Sequence, residues 1–195
     1  VVKCTDFASP DYSTVTRLTR VGYAGVTGEA TNDIDAERAA SDAINEGPQV
    51  VRRGDNYYLV YSVGSTSSNL YSVAQAVGTS PMGPFTKLSK AEGGLVLGAE
   101  MNWIQNAGTG HCCLTEIGDE LFIFYHEGAD RYTIDQNNRA VSYVRAGFLQ
   151  NGQGLDVLVA NGPTSYSLQA LPEAISGYKN IAPEAQVEVQ GMAQG

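Results

Sequence analysis

Apolar and polar positions along this chain alternate with a period of two over short runs. Gly, Pro, Asn and Asp interrupt the runs every few residues, a pattern that predicts short strands joined by tight turns. Val50-Val51-Arg52-Arg53, the turn Gly54-Asp55-Asn56 and Tyr57 to Val63 read as a hairpin, with Asn69 to Ala76 as a third strand. Ser80-Pro81-Met82-Gly83-Pro84-Phe85 closes that unit with two prolines that only an edge strand or loop tolerates. A second unit runs from Cys112 to Glu116, through the turn Ile117-Gly118-Asp119-Glu120, to Leu121–His126. A third starts at Arg139, continues through Val141 to Phe148, turns at Asn151-Gly152-Gln153-Gly154 and ends with Leu155 to Val159. Strand groups recurring at roughly 45 to 50 residues, each around a central hairpin, predict the blades of an all-β propeller, with a β-sandwich, whose turn spacing would be more uniform, as the alternative.

Upstream, residues 1 to 32 alternate strand-like pieces with turn signals and read as half a sheet. One helical stretch is predicted between Asp33 and Ile44, with Asp33 or Asp35 as N-cap and Glu37 in the first turn. It ends before Glu46-Gly47-Pro48. Gly47 reaches dihedrals closed to other residues and Pro48 locks its own φ, so a turn there holds the Glu46 carboxyl in one direction. Tyr57, Tyr58 and Tyr61 share one strand, two of them on one face, and are expected to pack within a blade. After Leu171-Pro172 the texture becomes linker-like and Ala185 to Val189 alternates as a single strand. Residues 1–172 are therefore expected to form a partial propeller, and 173–195 a linker with the first strand of a truncated accessory module.

Charge narrows the partners. Twelve Lys and Arg stand against 21 Asp and Glu, a net charge of -9, with no basic cluster, so neither nucleic acid nor an anionic membrane is an expected partner. No apolar run reaches the 18 or so residues of a membrane span. Eleven Tyr, 22 Gly and a single Trp fit many short strands, turns and a wet aromatic surface. Cys112 and Cys113 should face opposite sides of a strand and so not pair with each other, and the three cysteines are read as small buried thiols. Val1 to Thr5 read as a strand already in progress. The chain is expected to be a fragment whose compartment cannot be read from a leader. Trp103, in the loop ahead of His111, is placed either with its face exposed as a stacking platform for a ligand or in the core.

Taken in order, Glu46-Gly47-Pro48, Tyr57 to Ser62, Ser80 to Phe85, Gly108-Thr109-Gly110-His111 and Phe124-Tyr125-His126 resemble glycoside hydrolase family 43. The resemblance implies a five-bladed β-propeller, of which this chain supplies roughly the last three to four blades. It implies hydrolysis of arabinose- or xylose-containing plant polysaccharides or oligosaccharides by inversion, and an extracellular or periplasmic setting. Of the family's three carboxyls only the general acid matches here, at Glu46. Asp6, Asp11, Asp33, Asp35 and Asp42 do not stand in the family's Asp motif, so the general base and the Asp that tunes the acid are expected from N-terminal blades, on a second polypeptide if need be.

By the same resemblance His111 points into the central channel, under the substrate or beside a structural calcium ion, and no other cofactor is required. Arg139 reaches toward substrate or acid, with Arg131 and Arg145 as alternatives. His126 occupies the place of a Tyr-His pair, and the C-terminal strand opens a sugar-binding β-sandwich. Two rival readings are a propeller fragment that binds carbohydrate without cutting it and a non-enzymatic interaction propeller.

Overall fold

The computed structural model describes residues 1–23, 32–38, 43–66, 68–98, 108–128 and 139–160. Two short strands, β1 (Lys3–Cys4) and β2 (Pro10–Asp11), pair with each other at the N-terminus, and α1 (Asp35–Arg38) follows. The first large sheet is the meander β3 (Ile44–Arg53), β4 (Asn56–Gly64), β5 (Ser72–Gly78) and β6 (Thr86–Lys87), with β7 (Leu95–Leu97) also paired to β5. The second sheet is the meander β8 (Gly110–Ile117), β9 (Glu120–Gly128), β10 (Arg139–Gln150) and β11 (Asp156–Ala160).

The two sheets stack face to face. Val60 and Val73 from one meet Cys112, Leu114, Ile123, Tyr125 and Val144 from the other in a buried cluster. The opposite face of the first sheet, with Leu59, Tyr61, Val63 and Ala74, is covered by Ile34, Leu18 and Phe85. Covered on both sides, β4 is buried from Tyr58 to Gly64, which is why it reads as a near-continuous apolar run rather than an alternation. Each such side chain contributes about 1.5–3 kcal/mol by leaving water. Tyr57 and Tyr61 do lie on one face, packed in the same cluster, while Tyr58 turns to the other sheet, its ring edge-on to Phe148 at 5.2 Å.

Two glutamines lock the sheets together. The Gln49 amide donates to the Leu114 carbonyl (3.1 Å) and its oxygen accepts from the Leu114 N–H (2.7 Å), so a side chain of β3 pairs with the open edge of β8 as a strand would. Buried Gln75 repeats this on β11, donating to the Leu158 carbonyl (2.8 Å) and accepting from the Leu158 N–H (3.0 Å). A buried ion pair anchors the N-terminal segment: Lys87 Nζ donates to Glu37 Oε1 (2.6 Å), to the Arg20 carbonyl (2.8 Å) and to Asn45 Oδ1 (2.9 Å).

Four expectations change. Glu46-Gly47-Pro48 is not a turn but a β-bulge inside the ten-residue β3, the register slipping between Glu46 and Gln49. Of the helix expected between Asp33 and Ile44, Asp35–Arg38 is helical, residues 39–42 lie outside the described residues, and Ile44 is instead paired with Gly64. The three expected units are two sheets, because β10 and β11 continue the second meander instead of starting a third. Residues 1–23 hold one two-residue ladder, not half a sheet. The described residues form two blade-like sheets and no closed ring; residues 161–195, with the expected accessory strand, lie outside them.

Candidate active site

β3 and β8 are the first strands of their sheets and lie side by side, and each carries a bulge at the same level. An extra residue between Glu46 and Gln49 lets both point toward the second sheet, although side chains three apart on a regular strand face opposite ways. Glu46 is level with Ser62 and Gln49 with Val60, two inward-facing positions. On β8 the register slips between Gly110 and Cys113. His111 there has φ of 49°, in the left-handed region that a β-strand residue other than glycine avoids. This backbone turns the imidazole out of the strand's alternation and toward Glu46, and strain of this kind gathers at functional sites.

The carboxyl of Glu46 is thus held between two sheets. Its Oε1 accepts a 2.7 Å hydrogen bond from the Tyr71 hydroxyl, and its Oε2 lies 3.9 Å from His111 Nδ1. The Glu46 side chain keeps 33% of its exposure and His111 keeps 58%, so one side of the pair opens to solvent. Gly47 has a φ of 57°, a backbone that other residues rarely adopt, and a Cβ there would only touch the His111 ring, at 3.6 Å. Tyr71 reaches Glu46 across Gly110, where any side chain would collide with the phenol ring. Its ring stacks on His126 at 5.9 Å between centroids, and His111 stacks on the other imidazole at 6.2 Å.

Arg139 completes the cluster. Its Nη1 is 3.0 Å from His126 Nε2, and a guanidinium only donates, so Nε2 must accept and the His126 proton sits on Nδ1. His126 is then neutral. Burial first, then the charges of Arg139 and His111, lower its pKa from the ordinary 6.5. The Tyr71 phenol is pushed well above its ordinary range by burial and by the Glu46 carboxylate, and remains a donor.

The structure therefore brings together Glu46, His111 and, through His126, Arg139. Trp103 and Arg131 lie outside the described residues. Arg145 is bound to Glu120 (2.6 Å) instead. Tyr71 and Ser62 are site residues that the sequence reading did not single out. The available signal was the Gly108–Gly110 pair, whose missing side chains make room for Tyr71. Of the cysteines only Cys112 is buried, and burial pushes its thiol up to about 12; Cys4 and Cys113 are exposed, and all three are free.

The aspartates described ahead of Glu46 are engaged elsewhere. Asp6 and Asp11 cap their own loops, Asp33 accepts from the Lys90 N–H, and Asp35 lies 3.4 Å from Lys90 Nζ. Nor do the described residues form a calcium cage. No group of three His, Cys, Asp or Glu converges among them, whereas calcium takes six to eight oxygens. One imidazole and one carboxylate at His111 fall short of that set.

Two meanders with neighbouring first strands and a carboxyl where they meet make this an all-β protein. Residues 11–152 match the model of the glycosyl hydrolases family 43, and the chain belongs to that family. It is 32% identical over 115 residues to a beta-D-galactofuranosidase of Aspergillus niger, a match covering 57% of this chain and 31% of that protein. It is 30% identical to a thermostable family-43 glycoside hydrolase of known structure, covering 67% of this chain and 39% of that one with a TM-score of 0.50. An alpha-L-arabinofuranosidase from Lactobacillus brevis aligns at 24% identity and a TM-score of 0.47, over 65% of this chain and 39% of the other. The chain spans about a third of the length of these relatives.

Proposed function

We propose that Glu46 is the general acid of a glycoside hydrolase, protonating the leaving oxygen of a glycosidic bond. Displacement is by inversion, on arabinose- or xylose-containing polysaccharides and oligosaccharides outside the cytoplasm. The observation that carries this reading is the Glu46 carboxyl itself, with one oxygen bound by Tyr71 and the other facing His111 at the open side of two adjoining inner strands. An acid of this kind must keep a proton until the bond breaks and must meet the substrate in one orientation. The general base of an inverting reaction stands about 6.5–9.5 Å from the acid, with a water between. We place it on further blades of a five-bladed propeller, on this polypeptide or on a second one.

Substrate choice follows from sugar chemistry. β-D-Galactofuranose, the sugar named for the Aspergillus relative, and α-L-arabinofuranose share the ring and the arrangement of its hydroxyls, differing at the exocyclic carbon. Both belong in the assay beside β-xylosides. In the full-length protein Glu46→Gln should lower turnover of unactivated oligosaccharides by about 10²–10⁴-fold. Dinitrophenyl glycosides, whose leaving group needs no proton, should be hydrolysed with a much smaller loss. Equal turnover by the variant and the parent would refute Glu46 as the acid. Sugar binding without hydrolysis by the parent would establish the carbohydrate-binding reading instead.

A further inference from the structure

The hydrogen bonds behind Glu46 run in one direction. Their start is the backbone N–H of His111, which donates to Ser62 Oγ at 2.6 Å and can do nothing but donate. Ser62 is fully buried, so its own proton must find an acceptor within the protein. The Tyr71 phenol is the partner of Ser62 and is placed to accept that proton. Tyr71, itself 1% exposed, then donates to Glu46 Oε1 at 2.7 Å. Amide, serine, tyrosine and carboxyl form a single file in which each proton points toward Glu46.

Reversing the last bond is costly. A proton on Oε1 would have to be donated to a phenol oxygen that already accepts from Ser62, and the Tyr71 proton would be left buried without an acceptor. The phenol cannot swing aside, since Gly110 and His126 hold its ring on two sides. We propose that Tyr71 is a positioning residue that acts through Glu46: it makes Oε1 a permanent acceptor and so confines the transferable proton to Oε2, the oxygen on the His111 side. This rests on the reading of Glu46 as the acid.

The step then balances as follows. The Oε2–H bond breaks and its proton passes to the glycosidic oxygen. The bond from that oxygen to the anomeric carbon breaks, its electron pair staying on the leaving oxygen. A water oxygen bonds to the anomeric carbon from the opposite face and gives its proton to the base. Glu46 is left as a carboxylate, and the Tyr71 hydrogen bond to Oε1 strengthens as that charge develops.

The test is Tyr71→Phe in the full-length protein, with Ser62→Ala as a second variant that keeps the phenol and breaks the file behind it. On unactivated oligosaccharides Tyr71→Phe should lower kcat by about 10–100-fold, as loss of one charge-assisted hydrogen bond predicts. KM should stay nearly unchanged, and on dinitrophenyl glycosides kcat should hardly move. Ser62→Ala should shift the same ratio in the same direction by less, and neither variant should cost more when added to Glu46→Gln. A readout independent of turnover is the infrared carboxylate band of Glu46, identified as the band missing from Glu46→Gln; it should shift in Tyr71→Phe. An unmoved band, or equal losses on both substrates, would overturn the proposal. A shifted band in a protein whose parent hydrolyses nothing would uphold the hydrogen-bond file and refute the enzymatic reading of Glu46.

Discussion

At the residue scale the site depends on side chains that are missing as much as on those present. Gly110 leaves a gap in β8 through which Tyr71 passes to Glu46. Gly110→Ala should therefore displace the phenol, lowering stability by about 1–3 kcal/mol as overpacking does. It should also disturb the site as strongly as Tyr71→Phe; urea unfolding and kcat on an unactivated oligosaccharide check the two halves. An alanine variant matching the parent in both would show that Tyr71 has another route. Glu46 was singled out from its Gly-Pro motif and His111 from the family resemblance, and the structure brings the two side chains to 3.9 Å. Tyr71 was not singled out, since a tyrosine opening a strand is indistinguishable by spacing from one that only packs. Its function depends on Gly110, 39 positions downstream.

At the element scale the hairpins were readable and the bulges were not. Alternation and turn residues placed the β3–β4 and β8–β9 hairpins, because local chemistry decides them, but missed the first six residues of β3. A bulge adds one residue and leaves composition unchanged, so Glu46-Gly47-Pro48 looked like a turn. The division into sheets was also hidden, since it turns on which hairpin β10 joins. What the sheets exchange instead of a ladder is carried by Gln49 and Gln75. Gln75→Leu would strand the Leu158 N–H and the carbonyls of Leu158 and Gly93, each buried group costing about 1–3 kcal/mol. Gln49, half-buried, should matter less. Denaturant unfolding of the two leucine variants would rank them, and equal small losses would mean that water replaces both amides.

At the scale of the whole molecule the site and the fold share a pH dependence. His126 faces Arg139 on β10, His111 on β8, Glu46 on β3 and Tyr71 just ahead of β5. Folded, it binds a proton less readily than its ordinary 6.5; unfolded, it returns to that value. Between the two pKa values the unfolded chain holds more protons, so His126's contribution is complete above 6.5 and falls away with acidification through the window below. Unfolding midpoints in urea should decline from about pH 7.5 to about pH 5.5, and His126→Asn should flatten that decline. An unchanged slope in the variant would mean that another group is responsible. Glu92 and Asp6, whose carboxyls are held below their ordinary 4.5 and 3.8 by backbone N–H donors, act only in more acidic solution.

The glutamine clasps have a mechanical corollary. Because the facing edges of β8 and β11 are satisfied by side-chain amides rather than by a neighbouring strand, the sheets can part without either meander unravelling. The amide protons of Leu114 and Leu158 would be the first to exchange with solvent when they do. Those two protons report how tightly the two sheets are held against each other, separately from whether the protein is folded.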